Sequence, residues 1–74
     1  MNDSIKQQLK TLYNTVFDSN GNVKLCGRTN CLNLIQYIEG ITHTSGIYGD
    51  THSGKMNVEK IKEFVTSQID VEEN

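Results

Sequence analysis

A chain of 74 residues, 35% hydrophobic and with a mean hydropathy of -0.50, can bury one modest core and has no room for a second lobe to close over a substrate. Its net charge of -2 is too small to announce a nucleic-acid binder or an acidic mimic of DNA. No run approaches the roughly twenty apolar residues of a membrane span, and no apolar signal core follows Met1-Asn2-Asp3, so a protein made and kept in the cytoplasm is expected.

The first element is a helix over about 3–17. Ile5, Leu9, Leu12, Tyr13, Val16 and Phe17 form one apolar stripe, with Lys6, Gln7, Lys10 and Asn14 on the wet side. Asp3 or Ser4 can cap it, and Ser4 with Gln7 fits a capping box. Asp18-Ser19-Asn20-Gly21-Asn22 is a helix stop, since Gly and Asn tolerate the left-handed backbone a tight turn needs. Val23-Lys24-Leu25-Cys26 then alternates like a short strand.

A second helix is expected over about 30–39, capped by Thr29 or Asn30. Its inner face carries Cys31, Leu34, Ile35 and Ile38, and Gly40-Ile41 resembles a Schellman stop. Residues 42–55, THTSGIYGDTHSGK, are long for a connection in so small a domain, and long ordered loops are often functional. Within them, Ile47-Tyr48 can pair with the Val23–Cys26 strand. Asn57 caps a third helix that ends near Gln68–Ile69, with Met56 and Ile61 in the positions of a hydrophobic staple. Its inner face reads Val58, Ile61, Phe64, Val65 and Ile69. Asp70, Glu72 and Glu73 make 70–74 an acidic, frayed tail.

The chain lacks Ala, Pro and Trp and is rich in Asn, Ile, Lys and Thr. Intrinsic helicity is therefore weak, and the helices must be held by packing. The bias also fits an AT-rich coding sequence of the kind common in phages and mobile elements.

Three motifs invite a chemical interpretation. Gly49-x-x-x-x-Gly54-Lys55 has phosphate-loop spacing, but Met56 stands where a Ser or Thr would bind magnesium, and no room remains for a βαβ sheet. Turn glycines followed by a helix cap explain the same residues. Cys26, Cys31, His43 and His52 read C-x4-C-x11-H-x8-H, a ligand set that suits zinc at a spacing that does not. Two packed thiols are the simpler account, with a disulfide disfavoured in a reducing compartment. Asp18, Asn20 and Asn22 start like a calcium loop, but Val23 and Thr29 replace the glycine and glutamate that such a loop needs.

No oriented nucleophile and base can be assembled from these residues, so no enzyme is expected. Arg28, Lys55, Lys60 and Lys62 could form a basic patch, yet Lys60 and Lys62 project about 160° apart on their helix. The connection before the third helix is also too long for a helix-turn-helix.

The expectation is a mainly α domain over 1–69, or a small α+β one, with three short helices and at most a two-stranded β-ribbon from Val23–Cys26 and Ile47–Tyr48. Its function is expected to be non-covalent binding to another protein, as a regulator or inhibitor of a host protein carried by a phage or mobile element. The expected contact surface is the 43–55 loop, with Tyr48 as aromatic anchor and Arg28, His52 and Lys55 around it. A folded-back Tyr48 ring is the plainer alternative. The competing class is a nucleic-acid-binding regulator stabilised by zinc. A homodimer would relieve the marginal core.

Overall fold

A computed structural model describes residues 2–25 and 27–69. Its elements in chain order are α1 (Asp3–Val16), α2 (Arg28–Thr42), β1 (Gly49–Asp50), β2 (Lys55–Met56) and α3 (Val58–Gln68). The three helices and one small antiparallel sheet form a single domain, as the sequence suggests. The tail 70–74 and Cys26 lie outside the described residues.

The core is assembled from the apolar stripes of all three helices. Leu9, Tyr13, Val16 and Phe17 meet Leu34, Ile35 and Ile38 from α2 and Ile61 and Val65 from α3. All of these are buried, and each sits on the inner face its spacing predicts. Full burial of one such side chain contributes about 1.5–3 kcal/mol, which outweighs the weak propensity of an Ala-free helix. Tyr13 and Phe17 stack at 4.5 Å between ring centroids. Among the described residues no polar or charged side chain is buried.

The caps differ in detail. Asn2, rather than Asp3 or Ser4, caps α1: its side chain accepts from the Ile5 N–H at 2.9 Å. At the other end Asp18 Oδ1 accepts the N–H groups of Asn20 and Asn22, each at 2.9 Å, which closes an Asx turn at the expected helix stop. Lys24 then folds back on α1, its N–H donating to the Val16 carbonyl and its ammonium to the Asn14 carbonyl. Orphan carbonyls of the last turn are satisfied in this way.

That return overturns the expected strand at Val23. Val23 makes one isolated bridge to Phe17, and Leu25 is fully exposed. The ribbon instead pairs Gly49 with Met56 and Asp50 with Lys55. Pairing across a four-residue turn closes a far smaller loop than pairing Ile47 with a strand more than twenty residues away.

The second helix is longer at both ends than its signals imply. Gly27, in an extended conformation, is its N-cap, so Thr29 and Asn30 lie inside its first turn. Gly40 does not stop it. The helix runs to Thr42, and His43 adopts the left-handed conformation (φ 57°, ψ 41°). The N–H groups of His43 and Thr44 both donate to the Glu39 carbonyl, a Schellman closure three residues later than expected. The extra turn brings Ile41 onto the core, and Gly40 is left on the solvent side, where it costs about 1 kcal/mol relative to Ala. Asn57 caps α3 as expected, accepting from the Lys60 N–H.

Candidate functional site

The long connection between α2 and α3 contains a β-hairpin, Gly49 to Met56, laid along α2. Its two glycines explain how it lies so close. Gly49 (φ +151°) and Gly54 (φ +77°) both hold positive φ, and a Cβ on either would collide with α2. On Gly49 it would stand 2.7 Å from Ile35 Cδ1, and on Gly54 2.7 Å from Arg28 Cγ. Arg28 and Ile35 are seven residues apart, two turns or about 10.5 Å along one helix face. The Gly-x-x-x-x-Gly spacing is thus a contact pattern between a hairpin and a helix.

The turn leaves little for a phosphate. The His52 N–H donates to Asp50 Oδ1 at 2.8 Å. The Gly54 N–H donates to the Asp50 carbonyl at 2.8 Å, and the Lys55 N–H to Ser53 Oγ at 3.2 Å. A phosphate cradle needs such N–H groups unspent, and here a carboxylate already occupies the turn. Lys55 itself lies in strand β2, and α3 does not begin until Val58, so Lys55 is not placed at a helix start. The His52 N–H holds the Asp50 carboxyl below the ordinary aspartate range; partial desolvation opposes this, while the Ser53 hydroxyl, the Ser53 N–H and the charge on His52 reinforce it.

The residues expected to carry binding divide into two groups. Arg28, His52 and Lys55 come together around the hairpin tip, where the Arg28 guanidinium donates to the His52 carbonyl; all three side chains are exposed. Tyr48 turns the other way. It is half-buried, packs on the core and meets the Phe64 ring at 5.6 Å, tilted by 59°. The exposed apolar residue of this segment is its neighbour Ile47, at 44%, which the preference for an aromatic anchor overlooked. The alternation of Ile47 and Tyr48 to opposite sides was the available signal.

The metal-ligand set is not brought together. Cys31 lies in the first turn of α2 and His43 caps its last, about 18 Å apart at helical rise, so they cannot share an ion. Cys26 lies outside the described residues. Among the described residues no group of three or more His, Cys, Asp and Glu could hold a metal. The basic patch also disperses. Lys62 turns inward, its ammonium 2.8 Å from the Gly21 carbonyl and 6.0 Å from the centre of the Phe17 ring, while Lys60 faces solvent.

Beside the hairpin runs an open groove of about 850 Å³. One side is the end of α2 with Glu39, the other the first turn of α3 with Val58 and Glu59, and the ribbon closes it with Asp50, Lys55 and Met56. Its wall is completed by residues 45–47, where the Gly46 N–H donates to Glu39 Oε2 at 3.0 Å. Among the described residues no helix is long and apolar enough to cross a membrane. No protein-family model, curated protein or solved structure matches the chain.

Proposed function

We propose that the chain is a small non-enzymatic protein-binding module whose contact surface is the groove beside the hairpin. The observation that carries this is a concavity of about 850 Å³ in a 74-residue domain, bordered by Ile47 at 44% exposure and floored by Met56 and Val58. Sites for small molecules enclose most of their ligand; a groove this open suits a segment of a partner chain. The regulator or inhibitor role, and a phage or mobile-element origin, rest on size and composition alone.

The groove also favours protein over nucleic acid. Glu39, Asp50 and Glu59 line it against Lys55 and a single histidine, the wrong balance for a phosphate backbone. A photo-crosslinking residue at position 47, compared with one at the exposed position 8 on α1, tests the reading in cells that express the chain. Partner adducts specific to position 47 are expected. Equal yields from both positions, or retention of duplex DNA that falls steeply with salt, would reject it.

A further inference from the structure

The groove has an electrostatic sign, and that sign selects its occupant. Met56 and Val58 are half-buried beneath it, and half-exposed Ile47 stands at its edge. Around this apolar floor the carboxylates come from separate elements: Glu39 from α2, Asp50 from β1 and Glu59 from α3. Two of them are held in place. Glu39 Oε2 accepts from the Gly46 N–H, and Asp50 Oδ1 accepts from the His52 N–H. Glu39 keeps a second oxygen able to accept a further donor, whereas the Asp50 carboxylate also takes hydrogen bonds from Ser53 and acts on the groove mainly through its charge. The opposing charges are Lys55 and, when protonated, His52. The α3 N-terminus also faces the groove, but Asn57 caps it and Glu59 lies in its first turn, which offsets the positive end of the helix dipole.

We infer, resting on the protein-binding reading, that the groove takes a partner segment in which a Lys or Arg adjoins a large apolar residue. The apolar side chain covers Ile47, Met56 and Val58, and the cation lies among Glu39, Asp50 and Glu59. An acidic segment would leave these carboxylates facing like charge, which costs affinity and slows encounter.

Selection of a displayed random dodecapeptide library on the immobilised full chain tests this. The selected pool should be enriched in Lys or Arg next to Leu, Ile, Phe or Met, and raised salt should weaken its binding. Glu59→Lys replaces an attraction by a repulsion and should weaken the pool about fivefold. Glu59→Gln should weaken it less, and Ile47→Ser should weaken it as well. The amide spectrum of each variant verifies its fold. A pool of neutral or acidic peptides that is sensitive to Ile47→Ser but not to Glu59→Lys would overturn the charge assignment and leave the groove as a protein site. Absence of enrichment, or enrichment indifferent to Ile47→Ser, would overturn both.

Discussion

Gly49 rests on Ile35 with no room for a side chain between them: a Cβ there would stand 2.7 Å from Ile35 Cδ1 and equally close to the Lys55 carbonyl oxygen. Ile35 is itself fully buried, and the carbonyl belongs to the paired strand, so neither neighbour can yield cheaply. Gly54 makes a parallel contact, but with the stem of the exposed Arg28, which can swing away. The two glycines should therefore differ in sensitivity. Gly49→Ala should cost about 2–3 kcal/mol from overpacking and backbone strain, and Gly54→Ala about 1–2 kcal/mol, mostly from its left-handed φ. Urea unfolding measures both. Equal costs would mean that the hairpin does not bear on α2 through Gly49.

Tyr48 is the second test, because its ring lies on Phe64 and the core. Tyr48→Ala should cost about 1–3 kcal/mol, a large share of the total expected for a domain of this size. A lost interaction in that variant would then report damage to the fold as readily as loss of a contact. Tyr48→Phe should be within about 0.5 kcal/mol of wild type. Thermal unfolding of the pair decides between a packing ring and a surface anchor: a Tyr48→Ala variant as stable as wild type would restore Tyr48 to the surface.

The helices were legible because period and burial agree: the buried positions Leu9, Tyr13, Leu34, Ile38, Ile61 and Val65 recur at helical spacing along the chain. The hairpin was not, because two-residue strands are too short for an alternation to register. Its glycines report contact with a helix distant in sequence, which no local pattern encodes. Gly40 misled for the opposite reason. Its stop signal is local, but Ile41 gains burial on the core by continuing the helix, and tertiary packing prevails over a weak local preference. At the candidate site, Arg28, His52 and Lys55 were recognisable as a group, whereas the groove carboxylates Glu39 and Glu59 come from different helices and meet only after folding.

His43 ends α2 at φ 57°, where an L-residue with a bulky side chain is strained by about 1–2 kcal/mol. Part of any gain from glycine is lost to the greater freedom of the unfolded chain. His43→Gly should therefore stabilise the domain by about 0.5–1 kcal/mol, His43→Asn by less, and His43→Val should destabilise it. Because His43 is exposed, the ranking isolates backbone conformation from packing. A variant series in which Val matches Gly in chemical denaturation would show that the left-handed closure at Glu39 is not what ends the helix.

Asp50 supplies a pH signature for the hairpin turn. The His52 N–H donated to Oδ1 is the main influence that depresses its pKa below the ordinary aspartate value. A carboxyl with a folded pKa below its unfolded one binds fewer protons when folded. Its contribution to stability is thus full above the unfolded value and disappears as pH falls through the folded value. Asp50→Asn keeps a neutral oxygen that can accept the same N–H, so it removes the charge while keeping the turn. At neutral pH wild type should be the more stable of the two, and the gap should close as acid protonates Asp50. The other carboxylates are common to both proteins and cancel in the comparison. Thermal melts across the acid range measure the gap, and the His52 amide resonance should titrate in step with it. A gap that stays constant down to the lowest pH would mean that the His52 N–H does not favour the ionised carboxylate.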